Sequence, residues 1–159
     1  MDEVKVLELL GCKFREIQGS GCLLSLEPKY EEVNLPDEVN GVKVKTVGRA
    51  SFSNRKIKRL KLSNFLETVE ACAFSNNELE EVVVPRNVKY LGYLAFSNNP
   101  LTRVILPPSV ISIDEYAFAD TNDSLVIVCQ ENSCAHIWAS TYGYKTETLI
   151  EEKFNKLYE

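Results

Sequence analysis

The chain has 159 residues, of which 45% are hydrophobic and 26% charged, and its formal net charge is −5. This size and apolar content suit one domain with a continuous core, so we predict a single domain over residues 1–159. An acidic balance without long runs of like charge argues against nucleic acid as a partner. No apolar stretch approaches the roughly 20 residues of a membrane-spanning helix, so no membrane insertion is predicted.

Residues 1–32 are predicted to form an N-terminal cap. Lys13 to Gln18 and Cys22 to Glu27 flank Gly19-Ser20-Gly21, and this arrangement predicts a β-hairpin. Val4 to Leu10 fits either a strand or a helix. The chain begins with acidic residues where a secretory leader carries basic ones, so no signal peptide is predicted in the sequence as written, and the native compartment stays open.

Residues 33–129 contain an internal repeat of 22 residues. Four phenylalanines mark it, each followed by a small or polar turn: Phe52, Phe74, Phe96 and Phe118. A 22-residue unit cannot bury its own apolar face, but stacked copies place each apolar column against its equivalents in neighbouring units. We therefore predict stacked coils in which the phenylalanines form a buried spine rather than a ligand platform.

Other positions of the repeat predict the shape of each coil. Leu79 to Pro85 alternates like a half-buried strand and ends at a proline, which cannot donate to a ladder. Asn76-Asn77 and Asn98-Asn99 follow the phenylalanines, where asparagine tolerates turn backbone and can bond neighbouring amides. The first unit is longer than the others, and its Asn40-Gly41 pair predicts an extra hairpin.

Residues 130–159 are predicted to form a C-terminal cap and tail. Asn132 or Ser133 can cap a helix that Gly143 ends. One face of that helix carries Ala135, Trp138 and Tyr142.

A final strand is expected over Lys145 to Ile150, followed by a tail from Glu151 to Glu159. Phe154, Leu157 and Tyr158 stand at helical spacing in this tail, which can pack back on the cap or bind another molecule.

The repeat resembles a known family. Pro85 to Phe96 and Pro107 to Phe118 carry the Pro-x-x-Val motif and the Ala-Phe ending of the BspA-like leucine-rich repeats. The resemblance implies a leucine-rich-repeat solenoid, a β-rich right-handed superhelix with short helical turns, an N-terminal β-hairpin cap and a C-terminal helix-strand cap. Arg49-Ala50-Ser51 and Ser63-Asn64-Phe65 depart from the motif, which affects local loop shape.

The outward positions of the repeat strands are the candidate protein-binding face. One predicted column alternates in charge, with opposite charges on neighbouring strands about 4.8 Å apart; the next is apolar at three of its four positions, which is unusual for an exposed sheet. Either this stripe is a contact surface, or the C-terminal cap or tail covers it, or it lies at the edge of the core. The two columns are Arg59, Glu81 and Arg103, and Lys61, Val83, Ile105 and Ile127.

No catalytic, cofactor-binding or metal-binding residue is predicted. His136 is the single histidine, and no nucleophile motif or glycine-rich phosphate loop accompanies it. Cys129 and Cys134 near His136 lack a fourth ligand and the CxxC spacing of a metal site. The five cysteines, an odd number without repeated spacing, are more typical of reduced thiols than of a disulfide framework.

Two functions fit these observations. The first is a non-catalytic protein–protein interaction module, and the family resemblance implies a bacterial cell-surface or secreted adhesin-like protein that binds host or matrix proteins. The second is an intracellular structural or assembly protein that self-associates through its exposed strand face as a homodimer. The sequence does not identify the partner.

Overall fold

The computed structural model describes residues 5–9, 12–17, 19–26 and 31–157. The chain winds into a β-solenoid of about five turns with few helices, as predicted. Short parallel strands line its sides, and one continuous hydrophobic core runs along its axis.

The N-terminal segment is an antiparallel sheet of β1 (Lys5–Leu9), β2 (Cys12–Ile17) and β3 (Ser20–Leu26). The hairpin between β2 and β3 turns at Gly19, whose φ of +74° is in the left-handed region that glycine adopts without strain. β2 and β3 pair where a hairpin was expected, and β1 lies in the segment that fitted strand or helix. Val4, Leu10, Gln18 and Glu27 of these expected elements lie outside the described residues. β3 pairs in parallel with the first solenoid coil, so this sheet continues the stack.

The opening coil contains β4 (Glu32–Asn34), β5 (Glu38–Val39) and β6 (Val42–Val47). β5 and β6 pair antiparallel across Asn40-Gly41, where both residues have positive φ, 50° and 80°. This geometry confirms the predicted extra hairpin of the longer first unit.

The repeating coils contribute two sets of parallel strands. One set extends β6 and consists of β8 (Thr68–Val69), β10 (Tyr90–Leu91) and β12 (Ser112–Ile113). On the other side of the core lie β7 (Arg59–Lys61), β9 (Glu81–Val83), β11 (Arg103–Ile105), β13 (Val126–Cys129) and β14 (Lys145–Thr148).

This second set is interrupted between β7 and β9. β7 pairs with β4, whereas β9 begins a separate four-stranded sheet with β11, β13 and β14, and no ladder joins the two described strands. Polar contacts hold the coil of β7 to the preceding coil: the Lys58 ammonium lies 3.0 Å from Glu31, and the Asn64 amide donates to Asp37 at 2.8 Å. Asn64 belongs to the segment that departs from the repeat motif.

The phenylalanine spine is confirmed. All four rings are buried, and consecutive rings stack with centroids 5.3, 5.3 and 5.5 Å apart. The 22-residue spacing therefore places one ring above another in successive coils: Phe52, Phe74, Phe96 and Phe118.

The asparagine pairs divide two tasks between them. The first member of each pair has left-handed backbone, with φ of 56° at Asn76 and 51° at Asn98. The second member is buried and bridges two coils: Asn77 accepts from the Ile57 amide at 3.2 Å and donates to the Phe52 carbonyl at 2.8 Å. Asn99 makes equivalent bonds one coil later, to Leu79, Phe74 and Phe96.

Helix α1 (Cys134–Thr141) follows the last repeat strand. Ser133 is its N-cap, because the Ser133 hydroxyl accepts from the His136 amide at 3.2 Å. Trp138 is buried and packs edge-on against Phe118 with centroids 5.8 Å apart, so the helix extends the aromatic spine. Tyr142, which we expected on the same packed face, is half exposed, and its ring lies 5.7 Å from that of Trp138.

After β14 the chain forms helix α2 (Glu151–Lys156). The described part of the tail thus packs back, although on the outer face of the four-stranded sheet rather than on α1. Tyr158 and Glu159 lie outside the described residues.

Candidate protein-interaction surfaces

The outer face of the four-stranded sheet carries four of the predicted candidate residues, Glu81, Val83, Arg103 and Ile105, in two columns. Glu81 faces Arg103 across β9 and β11, as the repeat spacing predicts. The neighbouring column runs through Val83, Ile105 and Val128. We call this second column the apolar stripe.

Ile127 does not belong to the stripe, in contrast to the prediction. It pairs with Val104, is fully buried and lies in the main core. The cause is one extra residue in the turn after Phe118, so that corresponding strand positions of the last two coils are 23 residues apart instead of 22. Because side chains alternate along a strand, a one-residue shift exchanges the inner and outer faces, and Val128 takes the outward position.

The stripe is covered by α2. Phe154 is 6% exposed and packs with Ile105 and Val128, which are 6% and 3% exposed. Val83 is half-buried at the margin of this cluster. The expectation that the tail covers the stripe describes the structure better than the expectation of a free apolar surface.

The arginines of the charged column form ion pairs with acidic side chains that do not belong to the column. The Arg103 guanidinium donates to the Glu147 carboxylate at 3.0 and 3.3 Å and holds the pKa of that carboxyl below its usual value. Arg59 lies 3.4 Å from Glu32 on the preceding coil. Lys61 and Glu81 are exposed. Arg59 and Glu81 do not lie on paired strands as we predicted, because β7 and β9 share no ladder.

A cleft marks the interruption between β7 and β9. Its volume is about 750 Å³. Leu60, which is buried less completely than its equivalents in the other coils, lines this cleft together with Val83. Basic and acidic side chains line opposite sides, with Lys58 and Arg59 facing Glu78, Glu80 and Glu81.

A second surface, which the sequence analysis did not identify, lies on the side of β10 and β12. Tyr90, Tyr93 and Tyr116 are 46%, 51% and 49% exposed. The rings of Tyr93 and Tyr116 meet edge to face with centroids 6.0 Å apart. The negative charge of Glu115 raises the pKa of the Tyr116 hydroxyl above its ordinary value. We call these three residues the tyrosine surface.

Exposed apolar side chains continue from the tyrosine surface toward α1. Ile111, beside β12, is 58% exposed. Its carbonyl accepts from the Cys134 thiol at 3.3 Å, and Ile137, one turn further along α1, is 62% exposed. Contiguous exposed apolar and aromatic residues are a common feature of protein-binding sites.

Comparison with known families agrees with this architecture. The sequence model of the BspA type leucine-rich repeat region matches residues 26–147 in six copies. The chain belongs to this leucine-rich repeat family. Its repeat architecture is typical of protein-interaction modules and non-catalytic binding scaffolds. Neither the comparison with curated proteins nor that with solved structures gives a match.

Histidine and cysteine often act as catalytic groups or metal ligands in proteins, so their surroundings in this leucine-rich repeat domain bear on both roles. His136 Nδ1 accepts from the Asn132 amide at 3.0 Å, at the start of α1. Cys129 is buried, and burial raises the pKa of its thiol to about 11. Cys134 is exposed. Within the described part of the chain, histidine, cysteine and acidic side chains do not gather in groups of three that suit a metal ion.

The helices of this leucine-rich repeat domain are short. Over the ranges that the structure describes, none has the length and apolar character needed to cross a membrane.

Proposed function

We propose that this chain is a non-catalytic protein-interaction module that binds a protein partner through the tyrosine surface. The supporting observation is the half exposure of three tyrosines on neighbouring coils of a rigid stack. Tyrosine supplies a large contact area with a polar end and loses little side-chain entropy on binding, so it is enriched at interface hot spots. None of the three rings is needed to fill the core.

The charged side chains of the outer strand face form a second candidate surface. Arg59, Lys61 and Glu81 are exposed there, next to the cleft between β7 and β9. Rim charges of this kind govern association rate and specificity more than affinity. We therefore expect this face to contribute less to binding than the tyrosine surface does.

The partner class rests on family likeness. Through its BspA-like repeats the chain resembles a family of cell-surface and secreted proteins. We propose an adhesin-like role at a bacterial cell surface, with host or matrix proteins as partners. Antibody labelling of intact source cells tests this location. Labelling only after the cells are made permeable would contradict it.

The test of the binding surface compares matched variants. The wild-type chain, a Tyr93→Ala/Tyr116→Ala variant and an Arg59→Ala/Lys61→Ala variant are immobilised and exposed to purified matrix proteins. We expect one matrix protein to bind the wild type and the Arg59/Lys61 variant but to lose at least roughly tenfold in affinity for the tyrosine variant. Equal binding by all three, or loss only in the Arg59/Lys61 variant, would contradict the tyrosine surface.

An alternative function is intracellular assembly by self-association through the apolar stripe. It is supported by three β-branched side chains in one column, Val83, Ile105 and Val128. Because α2 covers them, this homodimer requires α2 to move. Light scattering over a range of protein concentrations tests it: a mass that rises from monomer to dimer supports assembly, and a constant monomer mass contradicts it.

A further inference from the structure

Helix α2 is held to the sheet by a single anchor. It has six residues, fewer than the roughly 12 that an isolated helix needs in water, so its helical form depends on docking. Phe154 is the one buried residue between Glu151 and Leu157, the part of the tail that the structure describes. Its N-cap, Ile150, provides no side-chain hydrogen bond. Segments with so few buried contacts open more easily than the core.

The groove beneath α2 is larger than the helix that occupies it. A cavity of about 230 Å³ lies at the end of the helix, lined mainly by Leu60, Val83, Pro85 and Leu157, with Lys61 and Asn64 as its polar lining residues. A second cavity of about 370 Å³ lies beside Phe154. The apolar floor therefore extends beyond α2 toward the cleft at β7, and a longer helix would contact more of it.

The charges around the groove match those of its present occupant. Arg86 and Glu151 line the same cavity beside Phe154. Glu151 and Glu152 form the first turn of α2, where negative charge also favours the helix N-terminus. The groove thus accepts a helix with an acidic first turn and an aromatic residue three positions after its first residue.

We propose that the groove under α2 is a docking site for an amphipathic helical segment of a partner protein, and that α2 occupies it until the partner displaces it. The partner segment has an acidic first turn and an aromatic anchor that takes the place of Phe154 against Ile105 and Val128. Helix-in-groove recognition depends on such spaced apolar anchors. This inference rests on the proposed function as an interaction module, but it uses a different surface from the tyrosines.

The test uses full-length chains and a synthetic peptide of residues 149–159 as the probe. In the Phe154→Asp variant a carboxylate replaces the anchor, so α2 should leave the groove and the labelled peptide should enter. Asn155→Asp is the matched control, because it adds the same charge at the exposed neighbouring position of α2. Fluorescence anisotropy measures peptide affinity, and circular dichroism verifies that each variant is folded.

We expect the peptide to bind Phe154→Asp at least roughly tenfold more tightly than it binds the wild type or Asn155→Asp, because the resident helix no longer competes. Adding Val83→Lys to the Phe154→Asp chain should weaken binding, as should Phe154→Ala in the peptide. Val83 is half-buried at the groove margin, so its replacement perturbs the core little.

Three results would overturn the proposal: equal affinity for the wild type and Phe154→Asp, no binding to a folded Phe154→Asp chain, or a Phe154→Asp dimer that excludes the peptide. The last result would assign the groove to a second copy of this chain. Because no matrix protein takes part, failure here leaves the result for the tyrosine surface unaffected, and the reverse also holds.

Discussion

Removal of one ring from the phenylalanine spine should lower stability strongly. Phe96 is fully buried between Phe74 and Phe118, with centroids 5.3 and 5.5 Å away. Replacement of a buried phenylalanine by alanine removes apolar contact area and leaves a cavity, and typically costs about 3–5 kcal/mol. The ladders on both sides of the core fix the spacing of the coils, so the cavity cannot collapse easily. We expect Phe96→Ala to lie within this range.

The magnitude is large compared with the whole stability of a domain, which is about 5–15 kcal/mol. Urea unfolding followed by far-UV circular dichroism measures it. Fluorescence of Trp138, the single tryptophan, provides a second probe at the C-terminal end of the spine. Coincident transitions by the two probes justify a two-state analysis, and a separation of the two would show that the loss of Phe96 uncouples the coils.

Tyr93→Ala is the control, because it removes an aromatic ring from the same coil at a half-exposed position. We expect it to cost about 1 kcal/mol or less. If Phe96→Ala lowered the free energy of unfolding by no more than this control does, the spine would not be the main support of the stack.

Three further predictions follow from the stacking of the coils. Asn99→Ala should cost about 2–4 kcal/mol in urea unfolding, because it leaves buried backbone groups on two coils without partners; a loss below about 1 kcal/mol would contradict this role. Gly92→Ala should lower the free energy of unfolding by about 1–3 kcal/mol, since an added Cβ would lie 2.9 Å from the backbone of the preceding coil. Asp114→Ala, at the equivalent position of the next coil, is the control and should cost about 1 kcal/mol or less. The pKa of Glu147, measured by NMR titration, should be below the usual glutamate value and return toward it in Arg103→Gln. Since the folded pKa is lowered, this pair stabilises the fold above the unfolded pKa, and the contribution disappears as the pH falls through the folded pKa. An unchanged pKa in Arg103→Gln would contradict the pairing.

The repeating part of the fold was predictable because packing imposes one residue size on each column. Phe74 and Phe96 occupy equivalent places in successive coils, and a smaller residue at either would leave a void. Asn77 and Asn99 were predictable for a related reason, since each bonds amides one coil away. Periodicity thus determined which residues form the core.

Features that depend on a single irregular residue were not predictable in this way. The extra residue after Phe118 moved Ile127 into the core and Val128 to the outside. The break between β7 and β9 lies beside Ser63-Asn64-Phe65, where Ser63 stands in the column of Pro85 and Pro107, and Asn64 bonds Asp37 on the preceding coil. The 22-residue spacing by itself predicts neither the inward position of Ile127 nor the missing ladder between β7 and β9.

The tyrosine surface shows which sequence signal would have indicated a binding site. Tyr90 shares its column with Thr68 and Ser112, so residue size changes sharply along that column. A packed column cannot tolerate such a change, because a tyrosine would overfill the space that a serine leaves. The column must therefore face solvent, and a large aromatic residue at an exposed position is not required by the fold. In a repeat protein, columns that vary in size mark exposed positions, and aromatic residues within them are the first candidates for contact with a partner.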